Sequence, residues 1–271
     1  SRTSGTRWSC SNTLPSSGSN ILRVGVAGAL GRLGRAACAA LASAEGVTLS
    51  AGFARAHQGE KLSAHVGCGA DDALLYDDVD SFAESGLDVI VDCTVYPISL
   101  DVARAAIANG VSPVVGASGW MEEDVISFGD AADEANIGAM IVPNFAIGAV
   151  LMMRFAAEAA RVLPDVEIIE MHHAEKRDKP SGTAKRTAAM IEDARPISRP
   201  PVTIHSVRLH GLLAHQEVIF GGIGETLTIR HDSISRDSFG PGIVLAAKHV
   251  RQLKSLVVGL DALLFSDEAF S

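Results

Sequence analysis

From residue 21 to about 145 two textures alternate along the chain: short, nearly unbroken apolar runs, and longer stretches in which apolar positions recur every three or four residues. The short runs are Ile21 to Ala27, Val47 to Phe53, Val89 to Thr94, Val114-Val115 and Met140 to Val142. Runs this short and this apolar predict strands buried on both faces. The intervening stretches, Arg35 to Ala44, Ser99 to Asn109 and Glu122 to Asn136, predict helices. Strand and helix in regular alternation imply an α/β fold, a doubly wound parallel sheet of the Rossmann type covered on both faces.

Ala146 to Leu163 predicts a long helix leaving this domain, and beyond it the pattern becomes strand-rich. Val166 to Met171, Val202 to Leu209, His215 to Phe220 and Glu225 to His231 read as strands, the last three separated by glycine turns. With a helix starting at Ser181 they predict a second, α+β domain around a mixed, largely antiparallel sheet. Pro241 to Leu264 predicts a helix docking back on the first domain. The expected divisions are 1–20 (tail), 21–146 (first domain), 147–239 (second domain) and 240–271 (returning helix).

The first strand runs straight into Gly28-Ala29-Leu30-Gly31-Arg32-Leu33-Gly34, and a helix follows. In a strand–turn–helix of this spacing, Gly28 permits the tight turn, Gly31 lets backbone approach a pyrophosphate, and Gly34 lets helix pack closely on strand. Val47 to Phe53 completes a βαβ unit, so residues 21–146 are expected to bind a dinucleotide. After that second strand an acid would select a free ribose 2′-hydroxyl, but Ala54 and Arg55 stand there, with His57 and Lys61 adding positive charge. Arginine pairs with a 2′-phosphate, which predicts NADPH as the preferred cofactor and NADH as the alternative. Ligands of such sheets bind beyond the carboxyl ends of the strands, where three loops fall: Asp92 to Pro97, Gly116-Ala117-Ser118-Gly119, and Pro143-Asn144-Phe145.

Composition narrows the partners. The chain has 271 residues, 47% hydrophobic, and a net charge of −9. That charge argues against a nucleic-acid surface. Even Val244 to Leu264 is interrupted by Lys248, Arg251 and Lys254, so no membrane span is expected. Cys10, Cys38, Cys68 and Cys93 lack paired zinc spacing, and His205, His210, His215 and His231 read mostly as structural or edge residues, so no metal is expected. The first twenty residues hold seven Ser, three Thr and two Arg with no acid, as a targeting or vector remnant does. The expected location is cytoplasmic, or plastid if that tail is a transit remnant.

The chemistry concentrates in residues 165–184, DVEIIEMHHAEKRDKPSGTA. A strand empties into His172, His173, Lys176, Arg177 and Lys179, just before Pro180 and Ser181 start a helix. Ser181 as N-cap, with Gly182 and Thr183 in the first turn, leaves backbone N–H groups free for an anion. Strand alternation puts Glu170 on the same face as His172, where it can orient the ring. A solvated basic loop is the plain alternative, but paired histidines beside a helix start suit proton transfer and anion contact.

These segments together resemble the 4-hydroxy-tetrahydrodipicolinate reductase (dihydrodipicolinate reductase) family of the diaminopimelate route to lysine. The resemblance runs from Ile21 to about Leu264 and is carried by VAGALGRLG at 26–34, DCT at 92–94, GASG at 116–119, VPNFAIG at 142–148, EMHHAEKRDKPSGTA at 170–184, GLLAHQEVIFGGIGETLTIRHDS at 211–233 and SRDSFGPG at 235–242. It implies that Gly28, Ala29, Leu30, Gly31, Arg32 and Leu33 form the cofactor loop and that Gly116, Ala117, Ser118, Val142, Pro143, Asn144 and Phe145 surround the nicotinamide. It further implies that His172 and Lys176 handle protons, that His173, Gly182, Thr183 and Arg236 hold a dicarboxylate substrate, and that the second domain joins a homotetramer. The chain departs from the family's G-T-T-G, where Ala117 and Ser118 stand, and from its D-A-P-S-G-T, where Lys179 replaces the alanine. Two rival readings remain at this level: another two-domain NAD(P)-dependent dehydrogenase, acting on a sugar or hydroxy acid, and a non-catalytic dinucleotide sensor.

Overall fold

The computed structural model describes residues 21–265, so the readings made for the tail at 1–20 lie outside the described residues. Six strands appear in the first half: β1 (Leu22–Ala27), β2 (Val47–Phe53), β3 (Leu74–Tyr76), β4 (Val89–Asp92), β5 (Ser112–Val115) and β6 (Ala139–Ile141). They alternate with helices α1 (Arg32–Ala42), α2 (Leu62–Val66), α3 (Val79–Ala83), α4 (Ile98–Ala108) and α5 (Glu122–Ala135). The expected doubly wound parallel sheet is present, with β3 added to the five strands read from the sequence: all pair in parallel, in the order β6-β5-β4-β1-β2-β3. Every residue of β4 and β5 is buried, which is why these strands read as continuous apolar runs.

Helix α6 (Ile147–Ala160) leads to the second sheet, made of β7 (Asp165–His172), β8 (Thr203–Arg208), β9 (Ala214–Gly222) and β10 (Glu225–Ser233) in the order β10-β9-β7-β8. β7 and β8 run parallel, while β7–β9 and β9–β10 are antiparallel. Helix α7 (Gly182–Ala194) supplies the crossover between the parallel pair. Ile168, Val218 and Phe220 of this sheet are fully buried, as is Ile191 of α7.

The C-terminal segment corrects one expectation. Helix α8 (Gly240–His249) ends in a 3-10 turn, and Leu256–Val258 is then a strand, β11, which pairs in parallel with β6 and extends the first sheet to seven strands. Short helix α9 (Asp261–Leu264) follows. The apolar run LVV suits an edge strand as well as a helix, and only the place beside β6 decides between them. No helix among the described residues is long and apolar enough to cross a membrane.

Candidate active site

The glycine turn is built from backbone. Gly28 takes the left-handed conformation (φ 75°), and its N–H and that of Ala29 both donate to the Phe53 carbonyl, at 2.9 and 3.2 Å. Ala29 is fully buried, so it ties the turn to β2. A Cβ on Gly34 would sit 2.0 Å from the Gly28 carbonyl oxygen, so only glycine lets α1 begin this close to the turn. Gly31 caps α1 without any side-chain bond, and the first helical N–H to find a carbonyl is that of Arg35, on Gly31 at 2.9 Å. The donors of Arg32 and Leu33 therefore stand at an open helix start. These features fit a dinucleotide pyrophosphate, which needs a bare backbone and a positive helix end. Arg55 is exposed just beyond β2.

The opposite wall is built from side chains. Glu170 is fully buried and grips His172, whose Nδ1 lies 2.5 Å from Glu170 Oε2. Arg208, on the adjacent strand β8, holds the same carboxylate with two bonds, 2.8 and 2.7 Å, and donates a further one to the Asp178 carbonyl at 2.7 Å. The Ser181 N–H reaches Glu170 Oε1 at 3.3 Å. Burial alone would raise the Glu170 carboxyl, but hydrogen bonds from Arg208, Ser206 and His172 outweigh it and bring its pKa to about 2. An ionised Glu170 accepts the Nδ1–H of His172, which leaves Nε2 with its lone pair. Burial lowers the pKa of His172, opposed by the hydrogen bond the ring donates to Glu170, and so favours the neutral ring.

Between these walls lies a cleft of about 270 Å³, where Leu33, Gly116, Asn144 and Phe145 from the first sheet face His172, His173, Lys176 and Arg236. A neighbouring chamber of similar volume reaches from Ser118 and Pro143 to Gly182, Thr183 and Arg186. Asn144 bridges the two sides: its Nδ2 donates to Thr183 Oγ1 at 3.1 Å and its Oδ1 accepts the Ala146 N–H at 2.8 Å. Phe145 is buried under Gly116, where a Cβ would lie 2.6 Å from the ring. Val142 and Ala117 are buried beside it. At the start of α7 the Ser181 hydroxyl caps the Ala184 N–H at 3.2 Å, leaving the N–H groups of Gly182 and Thr183 for a ligand. Lys176 Nζ is held by Asp178 at 2.7 Å.

Some of the cleft was not foreseen. His215 and His231, expected to be structural, line it together with Gln216. His215 Nδ1 contacts Asp232 at 2.6 Å. Gln216 donates to Thr187 at 2.8 Å, and its carbonyl oxygen is buried without a partner among the described residues. Arg208 and Arg186 were also missed. Arg208 gave no signal, because it meets Glu170 only across a strand pair formed by residues 38 apart.

Comparison with known proteins matches both halves of the chain. The family profile described as "Dihydrodipicolinate reductase, N-terminus" matches residues 22–145, and "Dihydrodipicolinate reductase, C-terminus" matches 148–264. A 4-hydroxy-tetrahydrodipicolinate reductase of Syntrophomonas wolfei is 45% identical over 262 residues, covering 89% of this chain and 98% of that protein. The Geobacillus thermodenitrificans protein of the same name is 43% identical, covering 90% and 99%. Among solved structures, dipicolinate-bound dihydrodipicolinate reductase from Paenisporosarcina sp. TG-14 superposes with a TM-score of 0.78 at 35% identity, covering 89% of this chain and 98% of that one. A probable dehydrogenase from Thermotoga maritima, at 15% identity and TM-score 0.64, shares the fold. With both halves matched in order and nearly end to end, the chain belongs to the dihydrodipicolinate reductase family.

Proposed function

We propose that this chain reduces 4-hydroxy-tetrahydrodipicolinate to tetrahydrodipicolinate with NAD(P)H, releasing water, in the diaminopimelate route to lysine. The observation that carries the reading is a single cleft in which the Glu170-held His172, Lys176 and the open start of α7 face the loops at the carboxyl ends of β5 and β6. The relatives' names and the dipicolinate in the solved relative support a cyclic dicarboxylate as substrate.

Arg32, Leu33 and the glycine turn hold the dinucleotide, and Gly116, Ser118, Asn144 and Phe145 border its nicotinamide. When bound, the reduced nicotinamide supplies the hydride. The remaining work falls to side chains of the chain itself. The N–H groups of Gly182 and Thr183 take one substrate carboxylate at the positive end of α7, while His173 and Arg236 take the other. Overall the reaction consumes a hydride and a proton and releases water. The Lys176 ammonium, held by Asp178, supplies the proton. His172, fixed in the Nδ1–H form, presents Nε2 to the cleft as the acceptor that passes protons on. Asn144 joins the two walls, so substrate and cofactor sites are set against one another before either ligand arrives.

Arg55, with no acid beside it, favours NADPH. Strand β10 is the sheet's edge, with no strand on its outer side among the described residues; it carries exposed Leu227, and Ile223 stands exposed in the turn before it, which supports a homotetramer joined through the second sheet. The test is turnover: substrate made in situ by condensing pyruvate with aspartate semialdehyde should drive oxidation of NADPH. No oxidation above the substrate-free rate would return the chain to the sensor reading.

A further inference from the structure

The loop that follows β2 folds back on itself and brings three side chains with metal-ligand chemistry to one spot, away from the cleft. His57 Nδ1 lies 3.1 Å from Glu60 Oε1, and His65 Nε2 lies 2.7 Å from Glu60 Oε2. The three ligand atoms fall within 4.8 Å of one another, and the two imidazole rings sit 4.3 Å apart. Glu60 and His65 take no part in the reduction described above, and His57 enters it only as positive charge near Arg55.

The frame that carries them is held from several sides. The Gly59 N–H donates to the Leu75 carbonyl at 2.8 Å, and the Leu75 N–H returns to the Glu60 carbonyl at 2.9 Å, which fastens the loop to β3. The Glu60 N–H donates to the His57 carbonyl at 3.1 Å. His57 itself has φ 72°, a conformation that residues other than glycine seldom adopt. His65 belongs to α2, which is anchored by fully buried Leu62, and the Arg35 guanidinium donates to the His65 carbonyl. Arg35 also donates to the Leu30 carbonyl at 3.2 Å, so α2 and the glycine turn share one arginine.

Two imidazole nitrogens and one carboxylate, without thiolate, are a donor set for zinc and its neighbours in the first transition row. Magnesium and calcium prefer oxygen alone. Zinc–ligand bonds of about 2.0 to 2.2 Å place ligand atoms roughly 3 to 3.5 Å from one another. The histidines contact the two different oxygens of Glu60 and all three ligand atoms lie within 4.8 Å, so rotation of the half-exposed His57 and Glu60 side chains brings them onto one ion as it replaces the protons shared between Glu60 and the histidines. His57 and Glu60 are about half exposed, and water can complete the coordination shell.

We propose that His57, Glu60 and His65 bind one divalent transition-metal ion of the zinc class, and that the ion clamps the loop after β2 to α2. The experiment uses the full chain without an affinity tag, stripped with chelator and titrated with Zn²⁺ alone by calorimetry and with Co²⁺ alone by visible absorption. The expected result is one saturable site per chain and a thermal midpoint that rises with Zn²⁺. Glu60→Gln and His65→Ala should each weaken binding by about tenfold or more and abolish the rise in midpoint, with unchanged circular dichroism. His205→Ala breaks an exposed histidine–glutamate pair elsewhere on the surface, His205 with Glu167 at 2.7 Å, and should leave binding unaltered. The proposal is overturned if the parent shows no saturable site, if Glu60→Gln and His65→Ala bind as the parent does, or if His205→Ala removes the binding.

Discussion

The two walls of the cleft are made from different materials. On the first sheet the turn after β1 offers backbone: a left-handed glycine, a helix start without a side-chain cap, and a second glycine whose missing Cβ lets the helix approach to contact. The second sheet offers a chain of side chains, in which Arg208 holds Glu170, Glu170 holds His172, and Asp178 holds Lys176. A backbone site tolerates most changes that leave its glycines alone. A side-chain relay fails at any link, because every member is placed by the one behind it.

The sharpest way to break the contrast is to remove the innermost link. Arg208→Ala leaves the buried Glu170 carboxylate without its arginine partner, which should cost about 3 to 5 kcal/mol in chemical denaturation. Replacing both partners, as Glu170→Leu with Arg208→Leu, should recover most of that loss while turnover stays low, because His172 has lost its holder. The pH dependence carries a sign. Folding depresses the Glu170 carboxyl from 4.5 to about 2, so the pair's contribution is complete above pH 4.5 and is lost as the pH falls toward 2.

On the other wall, Gly34→Ala forces a Cβ onto the Gly28 carbonyl and should cost about 1 to 3 kcal/mol of stability. Dinucleotide affinity should fall in the same variant, since the turn itself must shift, and fluorescence titration with NADPH reads it. A milder change on the same wall, Arg55→Ala, should raise the KM for NADPH about tenfold with little effect on that for NADH, the loss expected for one charged phosphate contact. An unchanged ratio would remove Arg55 from cofactor selection. Smallest of all is a shift without loss of structure. The His172 ring should titrate below 6.5 by NMR, and lower still in Glu170→Gln, where an anion that favours the imidazolium has gone.

What could be read from the sequence follows the same division. The glycine turn and the buried strands are local patterns, and β1, β2, β4, β5 and β6 lie where the apolar runs put them. Strand β3, with α2 and α3, went unread because Leu74–Tyr76 is three residues long and α2 and α3 span five each, too short for any periodicity. Strand β11 was taken for helix because its strand character comes from pairing with β6, a partner more than a hundred residues away. In the site, Glu170 could be paired with His172 because strand alternation is local, whereas Arg208, Gln216 and the cleft-facing His215 and His231 depend on the register of β8 and β9 against β7 and of β10 against β9. The cofactor half was legible as motif, and the relay behind His172 only as geometry.

Proton handling and dinucleotide binding are proposed to sit on separate walls of one cleft. The direct measurement is steady-state turnover in Lys176→Ala and His172→Ala, with the dissociation constant for NADPH determined on the same samples. The expected result is that kcat falls about 10²- to 10⁴-fold in both variants, while the NADPH dissociation constant stays near that of the parent. Turnover equal to the parent's, or a loss of dinucleotide binding that accompanies the loss of turnover, would contradict it.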